Sequence, residues 1–317
     1  MSRRRSLVIL LTLALAGALA WTTVGGVTVA QSQEKPIVIS RAHAGSHRPS
    51  FDKPIFVLAL GSDAGSPKYK RGGKVQSGRA DSIHIIAIEP KLKKASIVGI
   101  PRDSYVPVTC FNRPTKITGG LFFGGPECMI STVERLVRDH GGPATFKFDY
   151  YMLAGFEHLA NMVNDLGGIP VNVPYAMNDQ ASRANLKKGP QTLNGADAVA
   201  MSRNRKDAPL GDLSRSENQG LVMIGGLTKA RALVAKDPSK TLEFVRSIFA
   251  NVKMNIPLVD AFRLGLVLLQ IAPKDVTNVV PRADTGTTDA GSSVILDERS
   301  YRVYRDVADD GVLGSSG

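Results

Sequence analysis

At 317 residues, 43% of them hydrophobic, the chain has the length of one large domain or two ordinary ones and enough apolar content for a substantial core. Its net charge of +12 and pI near 9.8 favour an anionic partner: nucleic acid, an acidic membrane surface or a phosphate-rich polymer. The N-terminus removes the first of these. Arg3-Arg4-Arg5 precedes an uncharged stretch from Ser6 to Gln33, mostly Leu, Ala, Val and Gly. That stretch is long enough to span a bilayer and too long for a typical signal-peptide core. The reading is a cytoplasmic tail at 1–6, a transmembrane anchor at 7–30, a linker at 31–53, an extracytoplasmic body at 54–310 and a flexible tail at 311–317. The N-terminus then stays in the cytoplasm and the protein sits in the cell membrane with a single pass. A cleaved signal peptide ending near Thr28-Val29-Ala30 is the alternative, and a twin-arginine signal fits loosely. Each version exports the chain, so no nucleic acid is expected as a partner.

Along the body, apolar β-branched runs at 55–60, 83–88 and 95–100 read as buried strands. Each borders a polar cluster. Leu60-Gly61-Ser62-Asp63 ends the first, Gly78-Arg79-Ala80-Asp81-Ser82 opens the second, and Ile100-Pro101-Arg102-Asp103 ends the third. A Gly- and Pro-rich loop is expected at 107–126, after which Cys128, Val133, Leu136 and Val137 share a helical face. Thr145 to Met152 reads as a strand. Phe156, Leu159, Ala160, Val163 and Leu166 have helical spacing, stopped by Gly167-Gly168, and 169–173 is extended. Helices are expected at 193–201, 213–234, 240–249 and 257–270, strands at 276–280 and 294–296, and a flexible loop at 284–292. This mixture predicts an α/β fold, a single layered α/β/α domain with a central mixed sheet flanked by helices. Outside the cytoplasm the two cysteines, Cys110 and Cys128, are expected to form a disulfide that stabilises by about 3 kcal/mol.

Charged residues at strand ends meet when the strands lie side by side. Two carboxylates and an arginine there suit a metal-bound phosphate. Asp63 and Asp81 can hold a hard cation such as Mg²⁺, and Arg102 can grip phosphate oxygens in a two-pronged contact. Taken alone, either aspartate reads as a turn or capping residue. A second basic cluster follows. Arg203 and Arg205 project to one side of an extended segment, and Asp212, Arg215 and Gln219 share a helix face, with Asp212 as the N-cap. Lys116 adds another donor. Asp103 reads as an ordinary salt-bridge or turn residue and His84 as a structural one.

The order of these clusters resembles the LytR-CpsA-Psr family of cell-wall glycopolymer ligases. The resemblance covers Pro54 to Thr241. Beyond the three clusters above it rests on Thr115-Lys116-Ile117, Asp165-Leu166-Gly167-Gly168-Ile169, Leu193-Asn194-Gly195-Ala196-Asp197-Ala198, Ser202-Arg203-Asn204-Arg205 and Gly211-Asp212-Leu213-Ser214-Arg215. It departs at Asn218, where the family often has arginine before the glutamine.

The resemblance implies a phosphotransferase that moves a glycopolymer phosphate from a polyprenyl-pyrophosphate carrier to peptidoglycan, usually to the 6-hydroxyl of N-acetylmuramic acid. It also implies an apolar tunnel for the lipid. By resemblance Asp63 and Asp81 hold Mg²⁺, with Mn²⁺ as a substitute. Arg102, Arg203, Arg205, Arg215 and Gln219 hold the pyrophosphate, with Lys116 and Arg79 as further contacts and Asp212 in support. Either Asp63 or Asp81 takes the proton from the acceptor hydroxyl. Two other functions stay open: a wall-polymer or lipid-pyrophosphate binding protein without chemistry, and a polyprenyl-pyrophosphate pyrophosphatase. A transcriptional regulator is opposed by the apolar N-terminal segment, the cysteine pair and the lack of a convincing helix-turn-helix. The identity of the glycopolymer stays open.

Overall fold

The computed structural model describes residues 49–64, 70–71, 74–75 and 78–314. The anchor expected at 7–30 lies outside these residues, and among the described residues no helix is long and apolar enough to cross a membrane.

Six strands form the central sheet: β1 (Ile55–Ser62), β2 (Ala80–Glu89), β3 (Lys94–Gly99), β4 (Tyr150–Gly155), β5 (Lys253–Met254) and β6 (Val276–Val279). Their order is β5-β4-β1-β2-β3-β6. The first three make an antiparallel meander, β5 pairs antiparallel with β4, and β4 and β6 run parallel to β1 and β3. The helices are α1 (Gly120–Asp139), α2 (Phe156–Asp165), α3 (Gly195–Arg203), α4 (Asp212–Lys236), α5 (Lys240–Asn251), α6 (Leu258–Leu268) and α7 (Glu298–Asp310).

Period-two alternation along the strands feeds two cores. Leu58, Leu60, Ile83 and Ile85 pack with Met129 and Val133 of α1 and with Tyr304 and Val307 of α7. Ile55, Val57, Ile88 and Tyr150 pack with Ile256, Leu264 and Ile271. A strand covered on both faces is apolar at every position, which is why these segments read as unbroken runs. A third core holds Val163, Met201 and Val222 of α2, α3 and α4 against Ile169, Val171 and Leu193 of the two-stranded ribbon 169–173/189–193.

The structure corrects several element boundaries. The strand expected from Thr145 begins only at Tyr150. Phe146 packs edge-on against Phe56 (5.2 Å) and Phe148 (5.3 Å), so these apolar residues are buried by their rings from outside the ladder. The loop expected at 107–126 contains a short hairpin, Tyr105–Pro107 with Pro114–Lys116, and the first turn of α1. That helix breaks at Gly124-Gly125 and restarts at Pro126, whose missing N–H is harmless in a first turn. The flexible loop expected at 284–292 is most of a hairpin, Asp284–Thr288 with Gly291–Ile295, and Asp289 at its tip accepts from Tyr105 Oη at 2.7 Å. The tail from Gly311 to Gly314 is held: Ser96 Oγ donates to Gly311 O at 3.1 Å, and Gly314 N donates to Asp306 Oδ2 at 2.8 Å. Cys110 and Cys128 are joined, with Cα atoms 5.6 Å apart.

Candidate active site

The β1–β2 pairing brings the first two clusters together. Gly61 faces Ser82 and Ser62 faces Ala80, with a register shift between them. Just beyond, Asp63 N donates to Arg79 O at 3.2 Å and Arg79 N donates to Asp63 Oδ1 at 2.7 Å. A Cβ on Gly78 would lie 2.2 Å from Ala64 N, so glycine at this position lets the two segments close. Arg102 leaves the turn after β3 and its Nη1 donates to Asp81 Oδ1 at 2.5 Å. Its neighbour Asp103 lies 3.8 Å from both Arg102 Nε and Lys116 Nζ.

The other wall is the start of α4. Gly211, not Asp212, is its cap residue, which corrects the expected N-cap. The Asp212 carboxylate turns instead to cations: Arg215 Nη2 at 3.2 Å and Arg205 Nη1 at 3.9 Å. Gln219 Nε2 donates to Asp81 O at 3.1 Å and to Ser202 O at 3.0 Å. With both contacts on backbone carbonyls, Gln219 acts as a brace between β2, α3 and α4. His84 is a second brace, fully buried, with Nε2 3.0 Å from Ser216 O and Nδ1 3.1 Å from Ser82 Oγ. Burial pushes its pKa down to about 4, against the opposing pull of the Ser216 carbonyl. The neutral ring therefore donates from Nε2 to Ser216 and accepts at Nδ1 from Ser82.

Burial opposes charge throughout this cluster. It lowers Arg102, but Asp81 and Asp103 outweigh it and hold the guanidinium above its ordinary value. Arg215 stays below its ordinary value because burial prevails over Asp212. Burial raises Asp103 more than Arg102 lowers it. At Asp212 burial is outweighed by Arg215, by a hydrogen bond with Asp103 and by further arginines, leaving it lowered. Asp103 is thus a salt-bridge residue, as expected, and its partners make it part of the cluster.

Asp81, Arg102, Arg203, Arg205, Arg215 and Gln219 line one cleft of about 660 Å³, open solvent included. Phe156, Asp179, Ser182 and Lys206 also line it and are not among the site residues expected from sequence. Lys206 extends the Arg203–Arg205 cluster and could have been included. Arg203 lies over the Phe156 ring, 4.9 Å from its centroid, a contact with no local sequence signal. Three expected contacts are outside the lining. Asp63 is buried beside it, Arg79 has an exposed side chain and contributes its backbone, and Lys116 lies behind Asp103.

This arrangement can bind an anion with several oxygens. It also suits a hard cation. Mg²⁺ is usually held by one or two carboxylates together with substrate phosphates. Asp63 and Asp81 provide two carboxylates at adjoining strand ends, and the Arg102 bond falls on only one oxygen of Asp81. Among the described residues no group of three His, Cys, Asp or Glu could hold a metal, so a cation here depends on substrate oxygens.

Comparison with known proteins gives the fold and the family. The chain is 32% identical over 207 residues to the polyisoprenyl-teichoic acid–peptidoglycan teichoic acid transferase TagU of Bacillus licheniformis, covering 65% of this chain and 61% of that one. The chain spans 53% to 61% of the length of the first curated relatives it matches. The fold is that of Bacillus subtilis TagV, with a TM-score of 0.67 at 23% identity over 81% of this chain and 96% of that one. It is likewise that of TagT bound to LI-WTA, with a TM-score of 0.64 at 23% identity over 84% and 94% of the two chains. The family model described as the LytR_cpsA_psr family matches residues 23–306. The chain belongs to the LytR-CpsA-Psr family.

Proposed function

We propose that the protein transfers a glycopolymer phosphate from a polyprenyl-pyrophosphate carrier to peptidoglycan. The observation that carries this reading is the cleft in which Arg102, paired with Asp81, faces Arg203, Arg205 and Arg215. A cluster of guanidiniums converging on one cleft suits charge that builds on phosphate oxygens. The names of the relatives, which act on polyisoprenyl-linked teichoic acid and peptidoglycan, support it.

In this mechanism Arg102, Arg203, Arg205 and Arg215 bind the pyrophosphate oxygens and hold the glycan-side phosphorus for in-line attack. The acceptor hydroxyl oxygen forms the new P–O bond, and the bond to the bridging oxygen breaks. Polyprenyl phosphate leaves, and the hydroxyl proton passes to a carboxylate. Asp81, which lines the cleft, is nearer that role than Asp63. Asp63 and Asp81 would hold Mg²⁺, with Mn²⁺ as a substitute, and the cation would neutralise charge on the phosphates. Gln219 and His84 keep the α4 wall in register with β2.

The Cys110–Cys128 bond supports an extracytoplasmic domain. With residues 7–30 as a single anchor and the N-terminus in the cytoplasm, the cleft works at the outer membrane–wall boundary. The test uses a polyprenyl-pyrophosphate glycan and peptidoglycan fragments. Polyprenyl monophosphate should appear in equal amount to the glycan joined to peptidoglycan. Release without joining would indicate a pyrophosphatase, and binding without turnover a binding protein.

A further inference from the structure

Tyr175 lies at the centre of a polar chain that no catalytic step uses. Asn218 Nδ2 donates to Tyr175 Oη at 2.8 Å, and Tyr175 Oη donates to Asn204 Oδ1 at 3.3 Å. Asn204 Nδ2 donates to Asp207 Oδ1 at 2.5 Å, and Asp207 Oδ2 accepts from Asn178 N at 2.5 Å. The chain joins α4 to the Arg203–Lys206 segment and to the strand that carries Asp179. Its two amide side chains are deeply placed, with Asn218 1% and Asn204 0% exposed, while Asp207 and Asn178 at the far end are exposed. Buried amides of this kind need partners, and losing one leaves a costly unpaired group.

Asn204 stands between Arg203 and Arg205 in extended conformation, φ −61° and ψ 132°. Arg203 is the last residue of α3 and not part of an extended segment as expected, so Asn204 is the joint that sets the direction of Arg205 relative to Arg203. Their own anchors differ. Arg203 rests on Phe156, whereas Arg205 is half exposed and reaches Asp212 only at 3.9 Å. The separation of the two guanidiniums therefore depends on how firmly Asn204 is held. Asn218 holds it at one remove. At the position where the family often carries arginine, this chain has a neutral amide engaged with Tyr175, so position 218 adds no charge of its own.

We propose that Tyr175 is a positioning residue which, with Asn218 and through Asn204, sets the spread of Arg203 and Arg205 and so tunes the cleft to a diphosphate over a monophosphate. A monophosphate is gripped by one of these arginines. A diphosphate needs both at a defined separation. The inference rests on the proposed function, since it concerns the lipid diphosphate of that reaction.

The test measures the affinity of the full-length protein in detergent, with Mg²⁺, for geranylgeranyl pyrophosphate and geranylgeranyl monophosphate. Wild type should prefer the pyrophosphate. Tyr175→Phe should reduce that preference about tenfold, through weaker pyrophosphate binding alone. Asn218→Ala should do the same, and the double variant should lose no more than either single one, because both act through one chain. Asn278→Ala, which removes a donor to the carbonyl of Glu217 next to Asn218 in α4 without touching the Tyr175 chain, should leave the preference unchanged. Unchanged preference in Tyr175→Phe, additive losses in the double variant, or equal weakening for both lipids would overturn the positioning role while the functional reading stood. A wild type that binds neither lipid would overturn the functional reading, and this inference with it.

Discussion

Arg102 Nη1 and Asp81 Oδ1 are 2.5 Å apart, an ion pair that joins the turn after β3 to the first residues of β2. It brings together two clusters 21 residues apart in the chain at the mouth of the cleft. Each partner is a little exposed, so the pair is open to a substrate on one side and fixed by the sheet on the other.

Arg102→Ala should therefore remove transfer by about 10²-fold or more while leaving the domain folded. Arg102→Lys keeps the charge without the planar fork and should fall between the two. Initial transfer rates measured with circular dichroism spectra of the same samples check both statements. An Arg102→Ala protein with wild-type turnover would remove this residue from the site.

His84 gives a prediction for stability against pH. Its pKa falls from 6.5 to about 4 on folding, so the unfolded chain binds more protons between these values. Stability contributed by this group is then fully present above pH 6.5 and is lost as pH falls toward 4. The effect is about 3 kcal/mol over that window. Denaturant midpoints from pH 4 to 7.5 should show the slope, and His84→Gln should flatten it.

The sequence was most legible where packing and period agree. Leu58 and Leu60 alternate with Ile55 and Val57 because both faces of β1 are covered, and that run was read as a strand. Phe146 and Phe148 gave the same apolar signal without a strand, since burial by ring packing has no period. Of the 284–295 hairpin only the end at Val294-Ile295 reads as strand, for the opposite reason: a ribbon made largely of Thr, Gly and Ser carries no apolar alternation. At the site, Asp63, Asp81, Arg102, Arg203 at the end of α3 and Arg205 just after it could be found because they stand at strand and helix ends. What each side chain binds could not. Asp212 turning from a cap to Arg215, and Gln219 bracing Asp81 O and Ser202 O, depend on residues far apart in sequence.

Gln219→Ala tests the brace. It removes the donor to Asp81 O and Ser202 O and should destabilise the protein by about 1–3 kcal/mol. Gln219→Glu should weaken pyrophosphate binding further than Ala, because it places a carboxylate beside Asp81 and cannot donate to either carbonyl. Thermal melts and lipid-pyrophosphate affinity, measured on both variants, separate the two effects.

Reduction of the Cys110–Cys128 bond should cost about 3 kcal/mol, given a separation of 18 residues. The melting temperature should drop by roughly 5–10 °C. Transfer at room temperature should persist, because neither cysteine lines the cleft. Differential scanning calorimetry with and without reductant, and with both cysteines changed to serine, measures this directly.

The proposed phosphotransfer needs the carboxylates at the ends of β1 and β2. The most direct measurement follows polyprenyl monophosphate and peptidoglycan-joined glycan together, in wild type and Asp81→Ala, across a magnesium titration. Wild type should form both products in equal amount, rising with magnesium, and Asp81→Ala should form neither while remaining folded. Equal product from the two proteins, or wild-type turnover indifferent to magnesium and to chelator, would contradict the account.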